Sequence, residues 1–144
     1  MKISKVLKVL FVCTGNTCRS PMAEYYFNSA ASGITAESCG LRAETGSSMS
    51  ANAKKAMNIC ETTHRSRQVS ANILKEFDMI YGITVYHEAR LKEDFPGFAD
   101  KISRMPEDIG DPYGGSLEVY EKCFENIKKS VDIIIKSLDS GGGD

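Results

Sequence analysis

Apolar positions in this chain alternate between short continuous runs and stripes at helical spacing. Residues 9–12, Val-Leu-Phe-Val, form an unbroken run that suits a strand buried on both faces. Ala23, Tyr26, Phe27 and Ala30 then share one face of a helix, with Ser20 expected as its cap, Pro21 as its first helical residue and Gly33 near its end. Residues 34–39 predict a second strand, placed at a sheet edge because Thr35 and Glu37 share a face. Ser50 predicts the cap of a helix with Ala53, Ala56, Met57 and Cys60 on its apolar side, and Ser70 the cap of a short helix through Ile73 and Leu74. Residues 77–84 read as a third strand, 86–94 as an exposed charged helix stopped by Pro96 and Gly97, and 101–105 as a short fourth strand.

The strongest periodicity comes last. Leu117, Tyr120, Phe124, Ile127, Val131, Ile134 and Leu138 recur by threes and fours, which predicts a long helix. Such a seam also suits a coiled coil, but beside several strands it reads better as a helix packed on a sheet. Residues 140–144, Ser-Gly-Gly-Gly-Asp, read as a flexible tail. Strands alternating with helices imply one α/β domain over residues 1–144, with a mostly parallel sheet covered on both faces and a ligand cleft at the carboxyl ends of its strands.

Composition narrows the function classes. A 144-residue chain with 42% hydrophobic and 26% charged residues matches a soluble domain, and a net charge of −1 gives no reason to expect nucleic acid or a membrane surface. The lysines ahead of the first apolar run imitate a leader, but Lys8 interrupts the run, so a cytoplasmic location is expected. Five cysteines at irregular spacing suggest reduced thiols rather than a disulfide framework, and neither a metal site nor a cofactor is indicated.

Candidate chemistry sits directly after the first run. Cys13-Thr14-Gly15-Asn16-Thr17-Cys18-Arg19-Ser20 is a C-x5-R loop that leads into a helix N-terminus. Unpaired backbone N–H groups and the helix dipole favour an anion there, and Gly15 lets the backbone curl inward. Arg19 adds a planar fork for two phosphoryl oxygens, and the same field favours a thiolate at Cys13. The plainer reading makes Cys13 a small buried hydrophobe. A proton donor is also needed, and Asp111-Pro112-Tyr113-Gly114-Gly115 offers one on a rigid turn before the last helix, with Glu107 and Asp108 as rivals. Taken alone, Asp111 reads first as a helix-entry or turn aspartate.

These residues together resemble the low molecular weight protein tyrosine phosphatase family. The likeness rests on residues 9–24, on HRSRQVS at 64–70, on FDMIYGIT at 77–84 and on the late D-P-Y. It implies a flavodoxin-like three-layer sandwich with a four-stranded parallel sheet, a monomer, and metal-free hydrolysis of phosphorylated proteins or peptides with inorganic phosphate as product. In that scheme Cys13 attacks phosphorus to form a cysteinyl-phosphate, Asp111 protonates the leaving group and then activates water, and Arg19 with the loop amides holds the oxygens, so that Thr14, Gly15, Asn16, Thr17, Cys18, Ser20 and Tyr113 are the expected substrate-contacting residues. Asn16, Ser20, Ser38 and His64 match positions that support the loop, with Ser20 also stabilising the thiolate; otherwise His64 reads as a satisfied, partly buried histidine. Cys18 matches a second loop cysteine that can pair with Cys13 on oxidation.

Two departures concern substrate. Thr17 stands where many of these tyrosine phosphatases have a larger aliphatic residue, and Gly114-Gly115 follow Tyr113 where many have a second aromatic. Both resemble the bacterial protein-arginine-phosphatase branch. A hydroxyl can accept a guanidinium N–H, which favours phosphoarginine, and Tyr113 still supplies one wall; phosphotyrosine is the alternative if Thr17 is neutral variation. An arsenate reductase would need a distal cysteine pair that Cys39, Cys60 and Cys123 do not make, and a phosphate-binding module would not need both nucleophile and acid.

Overall fold

The computed structural model describes Val6 and residues 8–142; the leader-like segment falls mainly on residues 1–5 and 7, outside that description, as do Gly143 and Asp144 at the end of the expected tail. Strand β1 (Lys8–Cys13) is nearly all buried, as its unbroken apolar run requires. It pairs in parallel with β2 (Thr35–Gly40) on one side and β3 (Met79–Gly82) on the other, and β3 pairs in parallel with β4 (Ile102–Arg104). The order β2-β1-β3-β4 puts β2 at an edge, as the polar face of Thr35 and Glu37 implies.

Alternation along β1 sends side chains to two cores. Val9 and Phe11 face one layer with Met22, Ala23 and Phe27 of α1 (Arg19–Ala30), Ala53 of α2 (Ala51–Ala56), and Tyr120, Ile127, Val131 and Ile134 of α5 (Leu117–Gly142). Leu10 and Val12 face the other, with Leu74 of α3 (Ala71–Leu74) and Leu91 of α4 (Val85–Asp94). Phe11 shows the packing: its ring lies 5.9 Å from both Phe27 and Tyr81, and burying such a side chain contributes about 2–3 kcal/mol. The result is the expected flavodoxin-like α/β sandwich.

Ser50 and Ser70 cap as expected, accepting from the N–H groups of Ala53 and Ile73. Elsewhere tertiary demands override the local reading. The cap of α1 is Cys18, whose side chain makes no capping hydrogen bond, and Ser20 already lies inside the helix, because its hydroxyl is used on the neighbouring thiol. That helix ends at Ala30, ahead of Gly33. Helix α2 stops at Ala56, as Asn58 turns left-handed at φ 60°, so Cys60 is exposed rather than on an apolar helix face. A 3₁₀ turn over Pro96–Lys101 joins α4 to β4, and the backbone of α5 continues through Gly142, two residues beyond Ser140. Glycine weakens a helix by about 1 kcal/mol without forbidding it.

Candidate active site

Cys13 is the last residue of β1, so it stands at the carboxyl end of the sheet where β2 and β3 diverge. Beyond the strands, Leu41 N–H donates to the Cys13 carbonyl at 2.9 Å and Arg42 N–H to that of Thr14 at 2.9 Å, which pins the start of the loop. A Cβ on Gly40 would lie 2.5 Å from the Thr14 carbonyl oxygen, so this close approach requires glycine.

Asn16 organises the rest. Its backbone is left-handed at φ 60°, a conformation asparagine tolerates better than most, and this aims its N–H at Cys13 Sγ, 3.3 Å away. Its fully buried side chain donates from Nδ2 to Ser20 Oγ at 2.8 Å and to Ser38 Oγ at 2.9 Å, while Oδ1 accepts Arg67 N–H at 3.0 Å. His64 Nε2 lies 2.8 Å from the Asn16 carbonyl. Because Ser20 accepts from Asn16, its own proton is available to Cys13 Sγ at 2.9 Å, the rival Cys39 carbonyl being farther at 3.5 Å. The four expected supports therefore meet in one network around the thiol.

Arg19 is buried along its side chain, with Nη1 donating to the Ile109 carbonyl at 2.9 Å and Nη2 3.7 Å from Asp111 Oδ2. Asp111 is more than half exposed and accepts Tyr113 N–H at 3.1 Å in its own turn. Of the three acidic candidates, Asp111 faces the site; Asp108 instead accepts Val85 N–H at the start of α4. Cys13, Thr14, Gly15, Thr17, Cys18, Arg19, Asp111 and Tyr113 enclose a cavity of about 250 Å³, with Tyr113 projecting into solvent at its mouth. Every expected substrate-contacting residue except Asn16 and Ser20 lines it, and those two lie just behind the thiol.

A family model described as low molecular weight phosphotyrosine protein phosphatase matches residues 8–142. The chain belongs to this family. It is 34% identical over 143 residues to a protein-arginine-phosphatase of Geobacillus stearothermophilus, covering 92% of this chain and 97% of that one. Its fold superposes on a low molecular weight protein tyrosine phosphatase from T. tengcongensis with a TM-score of 0.84 at 36% identity, covering 91% of this chain and 99% of the other. A YwlE arginine phosphatase mutant with a phosphorylated active-site serine gives a TM-score of 0.88 at 26% identity, covering 92% and 96%.

The phosphatase also uses residues that sequence patterns did not single out. Glu24 accepts from Ser38 Oγ at 2.6 Å, and burial is the main cause that raises its pKa, partly offset by that hydrogen bond. Arg67 bridges Ser38 O at 3.0 Å and Glu37 at 2.6 Å, tying β2 to the loop. Both lie within the blocks that carry the family likeness, although neither bears a signal of its own. Tyr120, a member of the helical seam, turns its hydroxyl to Cys18 Sγ at 3.5 Å; burial, then Cys18, pushes its pKa up to about 12. His87, in the stretch expected to be exposed, is 2% exposed and touches Thr14.

Three further cysteines lie outside the loop. Burial pushes Cys39 and Cys123 up to about 12, and Cys60 is exposed. Among the described residues, no cluster of three or more His, Cys, Asp or Glu side chains could hold a metal ion, and no helix is long and apolar enough to cross a membrane.

Proposed function

We propose that this protein is a cysteine-dependent phosphoprotein phosphatase that removes phosphate from phosphoarginine. The observation that carries the catalytic part is a single cavity with Cys13 Sγ on its floor, the buried Arg19 beside it and Asp111 at its rim. Cys13 attacks phosphorus and the bond to the leaving nitrogen breaks, with Asp111 delivering a proton to that nitrogen. Water then attacks the cysteinyl-phosphate while Asp111 takes its proton, and Ser20 stabilises the thiolate as it leaves. Arg19 and the loop amides hold the phosphoryl oxygens through both steps. The related arginine phosphatase whose active-site serine is phosphorylated supports the covalent step.

Thr17 and the glycines that follow Tyr113, in place of a second aromatic, favour arginine. Thr17 lines the cavity and carries a hydroxyl that can accept a guanidinium N–H, and the exposed Tyr113 offers one aromatic wall rather than a clamp. The similarity to an arginine phosphatase points the same way. Phosphotyrosine is the second reading, supported by the comparable identity to a tyrosine phosphatase. Cys18, in the same loop, is the partner for a reversible disulfide with Cys13; peroxide inactivation that reductant reverses in the native protein and not in Cys18→Ser tests this.

The decisive experiment compares kcat/KM on phosphoarginine and phosphotyrosine peptides without added metal. Arginine is expected to be preferred, Thr17→Ile to shift the ratio toward tyrosine, and Cys13→Ser to abolish turnover while retaining anion binding. Turnover by Cys13→Ser would end the mechanism, and an unchanged ratio in Thr17→Ile would remove Thr17 from the substrate argument.

A further inference from the structure

One hydroxyl in the phosphate loop has no part in the scheme above. Thr14 directly follows the nucleophile, is exposed and lines the cavity, and its Oγ1 lies 3.0 Å from His87 Nε2. His87 comes from the first turn of α4 and is 2% exposed.

The proton on that imidazole can be placed from its partners. Backbone N–H of Thr84, which can only donate, lies 3.1 Å from His87 Nδ1, and the Thr84 hydroxyl lies 2.9 Å from the same nitrogen. Nδ1 is therefore an acceptor. The ring is neutral near pH 7, because burial and then Arg19 pull its pKa down to about 4 against Asp111 and Asp108. Its one proton consequently sits on Nε2 and is donated to Thr14 Oγ1. A hydroxyl that accepts from an imidazole still carries its own proton, which must point away from the ring.

The ring is also held firmly. Thr84 and His87 form a reciprocal capping box, with histidine in the position usually filled by Glu or Gln. A Cβ on Gly82 would lie 2.6 Å from Glu88 N and 2.9 Å from the His87 carbonyl carbon, so the end of β3 is pressed directly against this turn. Tyr86 packs edge-on against the ring, with centroids 5.6 Å apart. Strand end, helix cap, imidazole and loop hydroxyl are thus joined in one chain of contacts that ends on a residue lining the cavity.

We infer that the Thr14 hydroxyl donates a hydrogen bond to a phosphoryl oxygen of the bound substrate, and that His87 is the positioning residue that aims it. This rests on the phosphatase reading of the cavity. It adds to the loop amides and Arg19 a side-chain donor whose direction is set from outside the loop.

The test measures inorganic phosphate affinity by calorimetry, together with kcat and KM on a phosphorylated peptide. Thr14→Val is expected to weaken phosphate binding and lower kcat/KM by about 10-fold, the scale of one hydrogen bond to a charged group, and Thr14→Ser to recover most of that loss. His87→Leu should lower kcat/KM by a smaller factor, with part of the loss regained in His87→Gln, which keeps an N–H donor. In the Thr14→Val background, His87→Leu should cost nothing further, because histidine acts through the threonine hydroxyl. Wild-type phosphate affinity and kcat/KM in Thr14→Val would overturn the inference, as would an undiminished His87→Leu effect in that background. Thr14 is exposed, so its variants decide the matter even if His87→Leu fails to fold. Failure of the phosphatase reading looks different: the unmutated protein would then neither bind phosphate nor turn over any phosphorylated peptide.

Discussion

Replacing Asn16 by alanine and by glycine separates the two tasks this residue performs. Both changes remove three side-chain hydrogen bonds, to Ser20 at 2.8 Å, Ser38 at 2.9 Å and Arg67 N–H at 3.0 Å. At about 1 kcal/mol each, they contribute roughly 3 kcal/mol. The backbone at φ 60° is a separate cost, which glycine avoids and alanine bears at about 1 kcal/mol. Asn16→Ala is therefore expected to lose roughly 4 kcal/mol and Asn16→Gly roughly 3, read from urea unfolding midpoints at constant m-value. Both should also lose most of their kcat, because Ser20 is no longer aimed at Cys13. Alanine as stable as glycine would refute the strain argument, and two variants within about 0.5 kcal/mol of the native protein would refute the network.

Two further outcomes follow from the same neighbourhood. His87 has its folded-state pKa lowered to about 4 from an ordinary value of 6.5, chiefly by burial and Arg19, with Asp111 and Asp108 opposing. The unfolded chain therefore takes the proton first. The stability this group contributes is complete above pH 6.5 and falls by about 3 kcal/mol toward pH 4, so denaturation across that range should show a steeper acid loss in the native protein than in His87→Gln; equal slopes would contradict it. Gly40→Ala places a methyl 2.5 Å from the Thr14 carbonyl oxygen, which should destabilise by at least about 2 kcal/mol and lower kcat/KM, while normal values in both assays would show that the loop can yield.

Features set by neighbours in sequence were legible before the structure. The apolar run of β1, the seam of α5, the caps at Ser50 and Ser70 and the edge position of β2 all depend on local pattern or on one buried face. The C-x5-R loop stood out because several residue types agree on one anion geometry, whereas Asp111, a turn residue when taken alone, was singled out only by the family resemblance. Ser20 misled because a serine before proline reads as a cap, whereas here a buried thiol and amide compete for its hydroxyl. His87 was hidden in a charged stretch: its burial depends on Gly82 and Thr14, each brought to it by the sheet. Glu24 and Arg67 belong to a polar network whose members converge only after β2 has paired with β1.

That convergence also orders events in time. The loop around Cys13 takes its shape from partners far along the chain: Thr14 meets His87 across 73 residues, and Arg19 meets the Ile109 carbonyl across 90. Such long closures in a parallel sheet form late, while a regular helix such as α5 forms from contacts a few residues apart. Until those closures form, the distant partners that shape the loop around Cys13 are not in place. Recovery of activity on refolding is therefore expected to lag recovery of helical signal, and simultaneous recovery would contradict this order.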